Sequence, residues 1–292
     1  MLDRGTQLDW FDSWEIRIET AIAIAAFWVF AVQMASARNA LFAREMLTNR
    51  SFATSLFFMI VIGIVMFANM ALLPPMMQNL YGYPVIDTGL LLAPRGVGIL
   101  FSMAVAGRLV GKVDARLLVG TGFSIAAFSM WQMSQWSMEM DWRPFAISGL
   151  VQGLGMGLVF IPLNTLAFAS LPASMRTDGA SLLNLFRSVG ASVGISIASA
   201  LLGQNIQTSH SDLASHITGS TINNIDASTA DRFQGLGDQA LMFADAMVNK
   251  QAAMIAYLDD YWAMMWVTLA VIPLVFLLQK PKPGATAGPL ME

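Results

Sequence analysis

Seven uninterrupted apolar runs leave this chain few folds to choose from. They lie at 20–36, 51–73, 89–107, 117–136, 144–170, 180–202 and 261–278. Each is close to the roughly 20 residues that a helix needs to cross the hydrocarbon core of a bilayer. Only Arg95 and Arg187 place charge inside them. Backbone in lipid must satisfy its own hydrogen bonds, so apolar continuity of this length predicts helices. The strands of an outer-membrane barrel would alternate apolar and polar residues, and these runs do not. The chain is 56% hydrophobic and 12% charged, against roughly 25% charged for a soluble domain. The predicted fold class is therefore an all-α membrane protein with about seven transmembrane helices.

Several functional classes fall away on composition. The net charge is only -3 and no basic stripe is interleaved with aromatics, so nucleic acid is not a predicted partner. The absence of cysteine excludes disulfides, thiolate metal sites and cysteine nucleophiles. His210 and His216 are six residues apart, off one helix face, with only Asp212 nearby. No metal site is expected from them, and no cofactor. Nothing supplies a nucleophile, base and acid together, so an enzyme is not expected. The first residues, with Asp3, Arg4, Asp9 and Asp12, are too polar for a signal peptide. Residues 1–15 read as a lead-in whose Trp10, Phe11 and Trp14 suit either a membrane–water interface or a packed loop.

The loops set an orientation. Alternate short loops carry Arg38, Arg44 and Arg50, then Arg108, Lys112 and Arg116, then Arg176, then Lys280 and Lys282, nine cations in all. The opposite short segments carry three, Arg4, Arg17 and Arg143. Cations collect on the cytoplasmic side, which predicts a cytoplasmic C-terminus. Seven crossings then put Met1 outside, where a polar N-terminus does not readily travel alone. Either at least one more helix precedes Met1 in the natural protein, or one of the seven runs is re-entrant or peripheral. The long segment 203–256 is expected outside, with Ser/Thr/Asn-rich turns followed by an amphipathic helix. In that helix Leu241, Met242, Met247, Val248, Ala252 and Ile255 fall mostly at helical spacings.

Charged and polar residues inside apolar spans are costly, and they mark pathways or fixed pairs. Arg95, with Pro94 beside it, either lines a central cavity or makes a structural pair near its interface; Asp87 is a partner only if the helix starts early. Asn184, Arg187 and Ala191 share a helix face. Gly190 and Gly194 form a small-residue ridge that lets another helix approach. For Arg187 the alternatives are a gating or binding role and a cap on backbone carbonyls or lipid phosphates. The run from Gly149 to Thr165 holds Gly149, Gly153, Gly155 and Gly157 together with Gln152 and Asn164. It lacks the strand and the acid of a dinucleotide fingerprint, so its glycines read as helix contacts, static or rocking. Pro162 predicts a kink, and Pro74 and Pro75 are expected to end the second span. No carboxylate is read deep in any span. The 21 methionines suit either re-packing surfaces or lipid-facing filler.

Together these residues resemble the major facilitator superfamily, and within it the fourteen-helix drug:proton antiporters of the EmrB/QacA type. LDRGTQLDWFDSWEI resembles the segment that joins that family's two extra central helices. LLPPMMQNLYGYPVIDTGLLLAPRG resembles a stretch linking two helices of its C-terminal bundle, and SLLNLFRSVGASVGIS resembles its penultimate span. GRLVGKVDARLL resembles the superfamily's cytoplasmic-loop signature. Gly107, Lys112 and Arg116 match its glycine and basic positions, while Gly111 stands at its acid and Asp114 at its second glycine.

The resemblance implies an extra linker helix and cytoplasmic loop over 16–50. A six-helix C-terminal bundle would follow over 51–282, including the long extracytoplasmic loop 203–256, and then a cytoplasmic tail over 283–292. It implies the C-terminal part of an inner-membrane exporter of small amphipathic drug-like compounds, driven by protons and working by alternating access. The N-terminal half, which holds most of the coupling acids, would be its partner. A periplasmic adaptor and an outer-membrane channel would join in Gram-negative members. Arg95, Gln152, Asn164, Asn184 and Arg187 are then the cavity or gate candidates. Gly107, Arg108, Lys112, Asp114 and Arg116 are the cytoplasmic-latch candidates. Two other readings stand: a non-transporting truncated membrane module, and an uptake carrier for an anionic metabolite, which would require Arg95 and Arg187 to reach one pocket.

Overall fold

The computed structural model describes residues 13–36, 46, 48–216 and 238–278. The lead-in before residue 13, Arg38 and Arg44 of the first loop, the turns at 217–237, and Lys280 with the tail after it lie outside the described residues. Seven α-helices account for nearly all of the rest, with no β-strand among the described residues. They are α1 (Trp14–Ser36), α2 (Arg50–Asn79), α3 (Val85–Leu109), α4 (Ala115–Met133), α5 (Arg143–Ala169), α6 (Arg176–His216) and α7 (Asp238–Val271). Each apolar run begins on one of them, and the last continues past α7 into a 3-10 helix at Pro273–Leu277. Five (α2, α3, α5, α6 and α7) are by themselves long and apolar enough to cross a membrane. This is a multi-pass all-α membrane protein.

Local chemistry sets the helix ends. Asn49 caps α2 by accepting from the backbone N–H of Ser51 at 3.0 Å and Phe52 at 3.4 Å. Its Nδ2 donates to the Ser170 carbonyl at 2.9 Å, which ties the start of α2 to the end of α5. Between α3 and α4 the chain turns at Gly111, whose φ of +89° lies in the left-handed region. A side chain at that position would strain the backbone. Asp114 then caps α4 by accepting from the Arg116 N–H at 3.1 Å.

Two expectations about the elements change. Pro74 and Pro75 do not end the second span, because α2 continues through them to Asn79. A proline forfeits its own N–H and crowds the preceding turn, and membrane helices absorb this with their neighbours' help. The segment 203–256 is helical at both ends: α6 runs out to His216, where turns are expected, and α7 starts at Asp238 and leads directly into the last span. His210 Nε2 and Asp245 Oδ1, 3.2 Å apart, join the two extensions.

The helices pack as tight pairs. α2 lies against α6, α3 against α5, and α4 also against α5; α7 leans on α6 and α4, and α2 barely touches α3. Without water to drive association in lipid, helices gain by letting backbones approach at small residues. A methyl on Gly153 would overlap the Arg95 carbonyl, and one on Gly190 would overlap that of Ile60. At Gly194 a methyl would stand 2.6 Å from the Ile64 Cα. The Gly190/Gly194 ridge therefore meets α2, and the glycines of α5 meet α3 and α4.

One end of the bundle is closed by aromatic rings. Phe145 meets Trp136 at 4.7 Å and Tyr81 at 4.9 Å between centroids, and Trp136 meets Tyr261 at 5.7 Å. The Tyr81 hydroxyl donates to the Ser137 carbonyl at 2.7 Å, joining two loops. Several methionines are core residues rather than lipid-facing filler, among them Met76, Met130 and Met133, each fully buried. Their thioethers also serve as weak acceptors for buried donors. The Tyr261 hydroxyl reaches Met76 Sδ at 3.6 Å and Thr268 Oγ1 reaches Met130 Sδ at 3.5 Å.

Candidate functional site

Arg95 is 7% exposed, although it is a cation in the middle of a transmembrane helix. The neighbouring glycines of α5 make this position available. Gly149 leaves ordinary contact to the Arg95 Cβ, at 3.7 Å from an ideal methyl, and Gly153 abuts the Arg95 backbone. The side chain leaves α3 and reaches α2. Nη1 donates to Asn69 Oδ1 at 3.2 Å, and Nη2 donates to the Met66 carbonyl at 3.3 Å. Nε is buried and has no hydrogen-bond partner. Asn69 in turn donates from Nδ2 to Met133 Sδ on α4 at 3.3 Å. Arg95 therefore neither snorkels to the surface nor pairs with Asp87, which is exposed in the first turn of α3. It is held by neutral oxygens alone.

The other cavity candidates are placed as follows. Gln152, on the α5 turn that carries Gly149 and Gly153, is fully buried, and neither amide atom has a hydrogen-bond partner. An orphaned amide in an apolar bundle is costly. Asn164 is half-buried and turns its Nδ2 back to the Phe160 carbonyl at 2.8 Å, one turn earlier on the same helix. Asn184 and Arg187 share a face of α6: Nη2 of Arg187 donates to Asn184 Oδ1 at 3.1 Å, and the guanidinium lies 5.9 Å from the Phe67 ring centroid on α2. Arg95 and Arg187 thus address consecutive residues of one α2 turn, Met66 and Phe67, from two different helices. Arg95 is enclosed; Asn184 beside Arg187 is exposed.

At the other end of α3, the latch candidates gather in one short turn. Gly107, Arg108 and Lys112 are exposed. Arg116 is half-buried, with a buried Nε that has no partner. Asp114 spends one oxygen on capping α4, which gives it a local structural role.

Two polar groups go beyond the candidates read from the sequence. Asn69, a neutral residue of the second apolar run, is the side-chain partner of Arg95. Asp260 corrects the reading that no carboxylate lies deep in a span. It precedes the last apolar run by one residue, and it is 2% exposed. The signal was present in the pattern of α7: Tyr257, Asp260, Tyr261, Met264 and Thr268 fall on one helical stripe, and all are buried.

Comparison with known proteins follows the same lines. Residues 18–203 match the family described as Major Facilitator Superfamily. The chain is 28% identical over 292 residues to multidrug export protein EmrB of Escherichia coli K12, covering 99% of this chain and 56% of that protein. It is 30% identical over 289 residues to fatty acid resistance protein FarB of Neisseria gonorrhoeae, covering 96% of this chain and 56% of that protein. It is 27% identical over 289 residues to the probable multidrug resistance protein EmrY of Escherichia coli K12, covering 98% and 56%. The chain therefore spans a little over half the length of these relatives, and it aligns with their C-terminal part.

Proposed function

The chain belongs to the major facilitator superfamily, and from that premise we propose that it forms the C-terminal half of a proton-coupled exporter of small amphipathic compounds in the inner membrane. The observation that carries this reading is Arg95: a buried guanidinium held only by the neutral oxygens of Asn69 and Met66. A fixed ion pair would be a structural staple. A cation left with neutral partners keeps attraction in hand for a ligand or for a carboxylate of the other half, and the orphaned amide of Gln152 is a second buried polar group without a partner. The relatives' names support efflux of dissimilar compounds, drugs for one and fatty acids for another.

In this reading the two halves rock about a site near the bilayer midplane. Arg95, Gln152, Asn164, Asn184 and Arg187 serve the cavity or its gate. Arg108, Lys112 and Arg116 serve the cytoplasmic latch with Gly107, while Asp114 holds the start of α4. The C-terminus is cytoplasmic. The ends of α6 and α7 face the other compartment, where a periplasmic adaptor and an outer-membrane channel would engage. Arg95 is enclosed between α3 and α2, whereas Arg187 is half-buried on α6 beside exposed Asn184; these separate settings favour this over an anion uptake carrier with both cations in one pocket.

The test is a dye-efflux assay in energised vesicles containing this chain together with its N-terminal half. Efflux that a protonophore abolishes supports the proposal. A chain that assembles with that half yet moves no compound in either direction supports the non-transporting module instead.

A further inference from the structure

Asp260 has no part in the site around Arg95. Its Oδ1 accepts from Asn205 Nδ2 on α6 at 3.3 Å, and its Oδ2 is buried with no hydrogen-bond partner. The side chain borders a cavity of about 80 Å³ between α2, α6 and α7. Ile64 and Ala68 on α2, Gly194 and Ala198 on α6, and Met264 and Val267 on α7 form its walls. Among the described residues no cation pairs with Asp260. The groups that face it are few. On its own helix these are Tyr257, the exposed Asp259 and Tyr261. From α6 there is only the neutral Asn205, with His210 further out and engaged by Asp245. α2 offers apolar walls.

A carboxylate so placed needs a positive partner, because burying an uncompensated charge costs far more than one neutral hydrogen bond returns. The cavity decides which partner. It is far below the roughly 300–1,000 Å³ of a drug site, which excludes a drug-sized cation. Its walls bring no further oxygens, whereas a hard metal ion takes about six. A proton needs neither room nor ligands.

We propose that Asp260 is a proton-exchange site of this half of the transporter. It takes a proton from water at the end where α6 and α7 leave the span, beside exposed Asp259. It returns that proton when the bundle rearranges and water enters the cavity behind it. The step is a simple transfer: hydronium gives up a proton, the carboxylate becomes the acid, and water remains. The site deepens the proton-coupled reading and rests on it for its purpose, but it can be tested without transport.

The experiment is infrared pH titration of the chain in lipid nanodiscs with isotope-labelled aspartate, comparing wild type with Asp260→Asn. The expected result is an isotope-shifted carboxylic acid band that fades as pH rises and is lost in Asp260→Asn. Asn205→Leu, which removes the one donor to Asp260 and leaves the acid in place, shifts the midpoint of that band and covers the case in which Asp260→Asn does not fold. Identical carboxyl titrations in wild type and a folded Asp260→Asn, or a midpoint that Asn205→Leu leaves unmoved, overturn the proposal. If the band titrates as expected while the paired exporter moves no compound, the efflux reading fails and the protonation site stands.

Discussion

Replacing Gly153 by alanine puts the close contact of α3 and α5 to a quantitative test. The added methyl overlaps the Arg95 carbonyl oxygen and lies 3.0 Å from the Ile99 nitrogen and 3.1 Å from the Arg95 carbonyl carbon. All three atoms are backbone, so no rotamer change relieves the clash. To restore contacts near about 3.5 Å, α3 must move off α5 by on the order of 1 Å. Overpacking of this kind costs about 1–3 kcal/mol. The shift also carries Arg95, whose bonds at 3.2 and 3.3 Å have little length to spare. Alanine returns up to about 1 kcal/mol of helix propensity, leaving a net loss. Gly96→Ala is the control: it lies on α3 with nothing within 4 Å of an added methyl, so only the propensity gain applies. The propensity gain is common to both variants and cancels, so they should differ by about 1–3 kcal/mol, with Gly153→Ala the less stable. At roughly 2–4 °C per kcal/mol for a chain of this size, thermal unfolding in nanodiscs should separate them by roughly 2–12 °C. Equal melting temperatures, or Gly153→Ala melting above wild type, would refute the backbone contact.

Three further outcomes are expected. In the paired exporter, Arg95→Ala lowers dye efflux at least about tenfold, the equivalent of about 1.4 kcal/mol, with membrane expression intact; unaltered efflux removes Arg95 from the site. Asp114→Ala costs about 1 kcal/mol by removing the cap of α4, seen as faster amide exchange at Arg116, whereas Asp114→Asn keeps most of it. Tyr81 is held as the neutral phenol, its pKa pushed up to about 12 mainly by burial and secondarily by Tyr83. Because the folded value lies above the ordinary one, near 10, its contribution to stability is complete below that ordinary value and lost as pH rises towards about 12. Tyr81→Phe should flatten the fall of melting temperature in that alkaline window; an unchanged slope sinks the assignment.

Much of the architecture was legible because lipid imposes a coarse rule that a run of apolar residues records directly. The seven helices and the small-residue ridge at Gly190 and Gly194 follow from that rule. The pairing of Arg95 with Asn69 did not, since it joins positions 26 residues apart on two helices and depends on how the glycines of α5 seat α3. Pro74 and Pro75 misled because a proline's local cost is met by packing that no local pattern displays. Asp260 escaped for a different reason. A hydropathy run ends at the first charge, whereas burial follows a helical stripe, and the stripe through Tyr257, Tyr261 and Met264 continues across it. The cap at Asp114 and the left-handed turn at Gly111 were visible as residue types, but their work became clear only with the backbone in place.

The bundle has a fault line. α2 is welded to α6, and α3 to α5, each by interlocked glycine seams, while α2 and α3 scarcely meet. The Asn49–Ser170 bond ties the same two pairs at one end, and the Arg95 guanidinium is a buried stitch across that gap. Any sliding of one welded pair past the other must first stretch or release it, so the state of this single side chain would register the shear. A distance probe spanning Arg95 and Asn69 would therefore report motion that probes along either seam would miss.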